Sequence, residues 1–223
     1  MATGKMHRIL FIGNSHTYLH YMPLLLTSLA KGRGQEITTC QSIGEGASLE
    51  WHWNRPETSE LIVEGAWTHV VLQERSRGSI EDRSSMHSHA RHLDQRVGET
   101  GARTVFFMTW AAKGQEKEQT TIAHAYRDIA HECDAMLAPV GKAWELALAR
   151  KGCPDLFHRD GRHAGKAGAY LSACVLYSLL CGDPIGLSHI IESEDRILAD
   201  LPNRDARLLQ EAASEAVAVY GIT

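Results

Sequence analysis

Short apolar runs alternate along this chain with longer segments of helical periodicity, and that alternation restricts the fold more than any other feature. The first predicted strand, residues 8–12, continues from residue 9 onward without a polar side chain, as expected of a parallel strand buried on both faces. Strands that alternate with helices favour a parallel sheet covered on both sides. We therefore predict an α/β fold, a three-layer α/β/α sandwich with a mostly parallel central sheet. The further predicted strands are 36–42, 69–72, 104–109 and 135–138.

The helical segments are recognised by their apolar spacing and by their ends. Residues 116–133 include Ile122 and Tyr126, four positions apart, which indicates one buried helix face. Residues 167–181 are apolar nearly all round and stop at Gly182, so we predict a buried helix there. The other predicted helices are 23–31, 58–65, 83–98, 142–150 and 204–220.

Length and composition are those of one globular domain. The chain has 223 residues, of which 43% are hydrophobic and 22% are charged. This length suffices for one sizeable core and is short for two. No internal repeat or linker-like stretch divides the sequence, so we predict a single domain spanning residues 1–223.

Charge, the length of apolar runs and cysteine usage restrict the expected partners and the expected compartment. The formal net charge is -4 and the basic residues are scattered, which disfavours a nucleic-acid partner. No apolar run approaches transmembrane length, and the early one is too short for a secretory signal. The five cysteines are odd in number and form no CxxC, which favours free thiols in a reducing compartment. We expect a cytoplasmic protein with no membrane partner.

Chemically useful side chains follow three successive predicted strands. Ser15 follows the first strand, within Gly13-Asn14-Ser15, where backbone N–H groups are free to bind an anion; a helix N-cap is the alternative role. Gly46 follows the second strand and permits close approach of a backbone N–H, although a tight turn also explains it. Gln73 follows the third strand, where its side-chain amide could donate to an oxyanion or could simply be the polar residue that ends a buried strand.

Asp160 and His163 lie three positions apart, just before the predicted buried helix. This spacing allows the carboxylate to engage the imidazole ring, although a solvated turn with an Asp cap is the alternative. A serine, a base, an orienting carboxylate and anion-binding donors are the groups that acyl transfer through a serine requires. Ligands of parallel sheets bind beyond the carboxyl ends of the strands, which is where Ser15, Gly46 and Gln73 are expected.

These motifs resemble those of the SGNH (GDSL-like) hydrolase superfamily, in particular a branch with a Gly-Asn-Ser first block and a Leu-Gln-Glu third block. The resemblance spans nearly the whole chain in the family's order, and it implies the flavodoxin-like SGNH fold. One departure concerns the family's Gly-x-Asn-Asp block, which is absent; Gln73 stands in its place. The matching stretches are residues 11–17, 46–52, 70–74, 160–163 and 168–171.

The resemblance implies a role for each matching residue. Ser15 would attack an ester carbonyl, His163 would act as its base, and Asp160 would orient the His163 ring. The backbone N–H groups of Ser15 and Gly46, and the side-chain amide of Gln73, would bind the oxyanion. The substrate class implied is a small ester, with an acylated carbohydrate as one candidate. We expect no metal and no organic cofactor, because the triad itself supplies nucleophile and base.

Other residues near the motifs are candidates for the substrate pocket or for packing beneath it. Trp110 follows the fourth predicted strand and would form either an apolar pocket wall or part of the core. The remaining pocket candidates are Asn14, His16, His52 and Glu74.

Three further histidines, at positions 87, 89 and 92, suggest a metal site at first sight. No carboxylate or cysteine completes the ligand set, so we expect a solvated helix face instead.

Two other functions remain open from the residues. A carbohydrate-binding or scaffold protein could keep the fold without turnover, because fold does not fix function. An acyltransferase would use the same triad with an alcohol in place of water.

Overall fold

The computed structural model describes residues 6–193 and 196–223, and these residues form a layered α/β fold. A short 3₁₀ helix, Leu19–Tyr21, follows the first α-helix. The strands are β1 (His7–Gly13), β2 (Ile37–Ile43), β3 (His69–Leu72), β4 (Arg103–Phe107), β5 (Met136–Ala138), β6 (Ile190–Ser193) and β7 (Arg196–Asp200). The helices are α1 (Ser15–Tyr18), α2 (Met22–Lys31), α3 (Leu49–Trp53), α4 (Pro56–Glu64), α5 (Gly78–Glu81), α6 (Arg83–Gly98), α7 (Glu118–Glu132), α8 (Val140–Leu148), α9 (Lys166–Cys181) and α10 (Asn203–Tyr220).

The central sheet has the order β2-β1-β3-β4-β5, and every pairing within it is parallel. The predicted fold class is thereby confirmed. The strand β1 lies between β2 and β3, so the carboxyl ends of these three strands meet at one edge. This topology gathers the segments after Gly13, Ile43 and Leu72, which are the ones that carry the candidate site.

Both faces of the sheet are buried, which explains why β1 is apolar without alternation from Ile9 to Ile12. Ile9 and Phe11 point to one face, where they join a core formed with α2, α8, α9 and α10. Leu10 and Ile12 point to the other face, where they pack in a core formed with α6 and α7. Alternate side chains of a strand point to opposite faces, so a strand covered on both sides needs an apolar residue at every position.

Several element boundaries differ from the predictions. The fourth strand ends at Phe107 rather than at residue 109, although the Met108 N–H still donates to Ala138 O at 3.0 Å. The helix predicted at 142–150 begins at Val140, immediately after Pro139. Short helices such as α1, α3 and α5 lack enough residues for a periodic signal. The antiparallel hairpin β6–β7 lies in a segment where the apolar pattern predicts no element.

The three histidines of α6 have separate environments. His87 is buried and its Nε2–H donates to Ala125 O at 2.9 Å, so the prediction that it belongs to a solvated face is wrong. It is held by α7, which covers this side of the helix. His92 instead stacks against Trp53, with ring centroids 4.9 Å apart. Within the described ranges, no group of three or more potential ligand side chains is placed to hold a metal ion.

The state of the cysteines and the apolar character of the helices complete the description. All five cysteines are unpaired thiols, and burial raises the pKa of Cys153 to about 11. In the part of the chain that the structure describes, no helix has the length and apolar character needed to cross a membrane.

Candidate active site

Ser15, His163 and Asp160 form a continuous hydrogen-bonded chain at the carboxyl edge of the sheet. The Ser15 Oγ lies 2.9 Å from His163 Nε2. The His163 Nδ1 lies 2.7 Å from Asp160 Oδ2. Ser15 is the first residue of α1, directly beyond β1, and the other two lie in the loop before α9. The structure thus brings Ser15 together with two residues that lie about two thirds of the sequence away from it.

The local structure around Asp160 keeps its carboxylate ionised. Burial favours the neutral acid, but hydrogen bonds from the His163 ring and from the backbone N–H groups of Arg162 and His163 outweigh it, so the pKa of Asp160 lies well below its usual range. An ionised carboxylate only accepts hydrogen bonds, which places the proton of neutral His163 on Nδ1. The Nε2 atom is then free to accept the hydroxyl proton of Ser15.

Asn14, rather than Ser15, caps the first helix. Its Oδ1 accepts from the His16 N–H at 3.1 Å, and its Nδ2 donates to Ala47 O at 2.8 Å. The Asn14 side chain therefore satisfies a helix-terminal donor and ties the turn after β1 to the turn after β2. Because Asn14 performs the capping, the Ser15 hydroxyl remains available to His163.

Two residues that line the cleft have backbone N–H groups without a partner among the described residues. Gly46 has φ of +61°, a conformation that favours glycine, and it lines the cleft with Ser15. Among the described residues, no hydrogen bond uses the N–H of Ser15 or that of Gly46. Two free N–H groups beside a serine hydroxyl can stabilise a developing oxyanion.

Gln73 occupies a different position from the one predicted for an oxyanion donor. Its side chain is fully buried and does not line the cleft. The Oε1 atom accepts from the Asn14 N–H at 3.0 Å and from the Thr17 hydroxyl at 2.8 Å, while Nε2 donates to Glu74 O. These partners give the amide a supporting role behind the nucleophile, and they do not support the predicted donor role.

Of the predicted pocket residues, Asn14 and His16 line the cleft, whereas His52, Glu74 and Trp110 are buried and do not line it. The His52 Nε2–H donates to Gly13 O at 2.9 Å. Burial lowers the pKa of His52 to about 4, although the hydrogen bond to Gly13 O favours the charged form. The positive Arg55 lowers this pKa further. Trp110 donates through Nε1 to Arg162 O at 2.9 Å.

Glu74 supports the turns on either side of it. Its carboxylate accepts from the Leu49 N–H at 3.0 Å and from the Arg75 N–H at 2.8 Å. Burial nevertheless raises the pKa of Glu74, against the effect of these hydrogen bonds. The side chain therefore connects the second and third turns rather than facing substrate.

His16 lies next to the triad and stays neutral. Its ring centroid is 4.8 Å from that of Trp110 and 5.3 Å from that of His163. Burial, with smaller effects of the neighbouring His163 and Arg162, lowers the pKa of His16 to about 3. A neutral ring packed here supports the position of His163 without adding a competing charge.

The cleft contains residues to which the sequence analysis assigns no role. It has a volume of about 450 Å³, and Arg75, Ser76 and Arg162 line it together with Glu45. Each lies within two positions of a motif residue, and that adjacency is the signal that could have identified it. Sequence spacing alone does not show which side of the loop each side chain occupies.

Comparison with known proteins gives structural matches. No protein-family model and no curated protein matches the chain. A protein from Slackia heliotrinireducens, itself provisionally assigned to the SGNH hydrolases, is 27% identical over 77% of this chain and 97% of its own, with a TM-score of 0.65. A DUF4886 family protein from Bacteroides uniformis is 18% identical over 96% of each chain, with a TM-score of 0.78.

Characterised esterases have the same fold. The psychrotrophic esterase EstA from Pseudoalteromonas sp. is 15% identical over 77% of this chain and 95% of its own, with a TM-score of 0.60. The sheet order, the helical layers and these matches agree with the resemblance found in the sequence. The chain has the fold of the SGNH hydrolases.

Proposed function

We propose that the protein is a serine esterase that hydrolyses a small carboxylic ester. The observation that carries the proposal is the hydrogen-bonded chain from Ser15 Oγ through His163 to Asp160, with distances of 2.9 and 2.7 Å. The fold is that of the SGNH hydrolases, whose solved structures include several esterases. A nucleophile, a base and an orienting carboxylate in this geometry match the requirements of acyl transfer.

In the proposed first half-reaction, Ser15 Oγ attacks the ester carbonyl carbon while His163 Nε2 takes the hydroxyl proton. The carbonyl oxygen gains a negative charge, which the N–H groups of Ser15 and Gly46 stabilise. Collapse of the tetrahedral intermediate breaks the bond to the alcohol oxygen, and His163 returns the proton to that oxygen. The acyl group remains on Ser15.

The second half-reaction repeats these steps with water as the nucleophile. His163 removes a proton from water, the resulting hydroxide attacks the acyl carbon, and the bond to Ser15 Oγ breaks. His163 then donates its proton to Ser15, so that the acid leaves and the free enzyme is restored. The negative Asp160 stabilises the imidazolium form of His163 during both half-reactions.

We further propose a short acyl group, such as acetyl, and a carbohydrate as the alcohol. Structures of the same fold include an acetyl xylan esterase and a family 3 carbohydrate esterase from Clostridium thermocellum. The cleft's polar lining, with Glu45, Ser76 and Arg162, provides donors and acceptors for a hydroxylated substrate.

Ester turnover in a serine variant tests the proposal. Acetate release from phenyl acetate and from acetylated xylan is measured for the wild type, for Ser15→Ala and for Ser214→Ala, a control on the distant helix α10. We expect Ser15→Ala to lower kcat by about a thousandfold or more without changing Tm, and Ser214→Ala to retain activity. Turnover by Ser15→Ala within tenfold of the wild type would exclude Ser15 as the nucleophile.

A further inference from the structure

The cleft beside Ser15 carries more positive than negative fixed charge. Its acidic and basic lining side chains, apart from the histidines, are Arg75, Arg162 and Glu45. The carboxylate of Asp160 does not line the cleft, and its hydrogen bonds go to the His163 ring and to two backbone N–H groups rather than to either guanidinium group. The triad requires neither arginine, and their presence therefore needs a separate explanation.

Arg162 has a fixed backbone and an unpaired side chain. Its N–H donates to Asp160 Oδ1 at 2.9 Å, and its carbonyl accepts from Trp110 Nε1 at 2.9 Å. Among the described residues, no hydrogen bond or ion pair uses its guanidinium group. A cation is thus held directly beside His163, with its donors available to a ligand.

Arg75 is anchored from one side only. Its Nη1 donates to Glu81 Oε2 at 2.8 Å, and Glu81 also binds Arg77 at 2.6 Å. A guanidinium group has five N–H donors, so this single bond leaves the others for a ligand in the cleft. Ser76, the next residue, adds a hydroxyl to the same wall.

The sheet topology separates these groups from the negative Glu45. Glu45 follows β2 and Arg75 follows β3, whereas Ser15 follows β1 between them. The two charges therefore lie on opposite sides of the nucleophile. On the β3 side, Ser76 and Arg162 also line an adjoining cleft, whose Glu118 is already paired with Arg77 at 2.9 Å.

We infer that the β3 side of the cleft binds a negatively charged group of the ester, namely a carboxylate. The guanidinium groups of Arg75 and Arg162 hold it, with the Ser76 hydroxyl as a further donor. Arginine is suited to this task because its planar donors match the two oxygens of a carboxylate. The inference rests on the proposed esterase activity and specifies its substrate class: an ester of an acidic molecule, charged in either its alcohol or its acyl part.

Matched neutral and anionic esters test this inference. Phenyl acetate is compared with 4-acetoxybenzoate, which carries the charge in the alcohol part. Ethyl butyrate is compared with monoethyl succinate, which carries it in the acyl part. The measured quantity is the anionic-to-neutral ratio of kcat/KM in wild type, in Arg162→Gln and in Arg207→Gln, a control whose exposed side chain pairs with Glu211 on α10. Comparison among variants cancels the intrinsic reactivities of the esters.

We expect the ratio for at least one pair to fall about tenfold or more in Arg162→Gln, mainly through KM, since a charge-assisted hydrogen bond is lost. Arg207→Gln should leave both ratios at the wild-type value, and added salt should lower the wild-type ratio. The pair that responds identifies the part of the ester that carries the charge. Ratios within twofold of each other in wild type and Arg162→Gln, for both pairs, would overturn the inference.

A second readout separates this inference from the esterase proposal. Labelling of Ser15 by a neutral fluorophosphonate tests the nucleophile alone, and benzoate should slow that labelling in wild type but less in Arg162→Gln. If Ser15 is labelled and benzoate has equal effects on both proteins, the carboxylate site is wrong and the esterase proposal stands. If Ser15 is not labelled, the esterase proposal fails, and calorimetric titration with benzoate still decides whether Arg162 binds a carboxylate.

Discussion

Two imidazole rings with centroids 5.3 Å apart have different roles because their surroundings differ. His163 bonds the ionised Asp160 on one side and the Ser15 hydroxyl on the other. His16 is buried against Trp110, and its low pKa keeps it neutral. A charge on His16 would repel the imidazolium form of His163 that the proposed reaction requires.

At the residue scale, Gln73→Ala tests whether this amide supports the site or binds the oxyanion. The substitution removes the acceptor of two buried donors, the Asn14 N–H and the Thr17 hydroxyl. We expect the free energy of unfolding to fall by about 3 kcal/mol, because unsatisfied buried donors are costly, and kcat to fall with it. Thr17→Val, which removes one of the donors, should cost less. Denaturant unfolding and ester turnover provide the two measurements.

A lowered kcat in Gln73→Ala with wild-type stability would contradict the supporting role. That outcome would restore the role predicted from the sequence, in which Gln73 binds the oxyanion. A retained kcat with lowered stability would instead limit the amide to a structural function.

The sequence predicts that Ser15, Asp160 and His163 come together, as their hydrogen bonds show, but it does not predict the orientation of the side chains around them. Ser15, Asp160 and His163 are indicated by strand ends and by spacing, because backbone topology alone brings such positions together. Gln73 was misplaced because its position after β3 does not reveal which direction its amide points. Arg75 and Arg162 were missed for the same reason.

At the element scale, the structure leaves no space for a side chain at Gly13, the last residue of β1. A Cβ on Gly13 would lie 2.6 Å from Gln73 Oε1 and from Thr17 Oγ1. We expect Gly13→Ala to lower the free energy of unfolding by about 1–3 kcal/mol and to lower kcat, because these groups would have to move.

The matched control for Gly13→Ala is Gly98→Ala, at the end of α6. A Cβ at Gly98 meets no atom within 4 Å, so this variant should be neutral or slightly stabilising. Urea unfolding of both variants measures the difference. Equal stability of the two would contradict the close packing of the turn.

Long periodic elements were more predictable than short ones. The buried helix α9 was expected from its continuous apolar sequence, and its end at Gly182 is as predicted. The four-residue helix α1 depends on the Asn14 cap and on tertiary contacts, which sequence periodicity does not report. The hairpin β6–β7 carries exposed residues such as Ile190 and Ile197, which obscure the alternation expected of a strand with one buried face.

At the scale of the whole molecule, buried histidines make stability depend on pH. The pKa of His52 is about 4 and that of His16 about 3 in the folded protein, against 6.5 in the unfolded chain. Between these values the unfolded chain binds more protons, so stability decreases as pH falls below 6.5. Each of these two histidines contributes at most about 1.4 kcal/mol per pH unit to the decrease in the free energy of unfolding.

The variant His52→Gln isolates one of these contributions. Glutamine can still donate toward Gly13 O but does not take up a proton. We therefore expect the free energy of unfolding to decrease less steeply between pH 6 and pH 4.5, because unfolding would take up about one proton fewer. The same substitution at the exposed His124 is the control. Urea unfolding at several pH values measures the slopes, and identical slopes for wild type and His52→Gln would refute the buried neutral histidine.

The overall architecture followed from sequence because a sheet covered on both faces demands apolar strands throughout. The runs in β1, β3 and β4 meet that demand directly. The edge strand β2 has a mixed burial pattern, yet its position beside β1 follows from the parallel topology. Substrate preference is less predictable, since it depends on the orientation of a few polar side chains around Ser15.

The central claim is that His163 and Asp160 activate Ser15, and covalent labelling tests it most directly. Wild type and Ser15→Ala are treated with a neutral fluorophosphonate and analysed by intact and peptide mass. We predict a single adduct on Ser15 in wild type and none in the variant. No adduct on folded wild-type protein, or an adduct that persists in Ser15→Ala, would contradict the account.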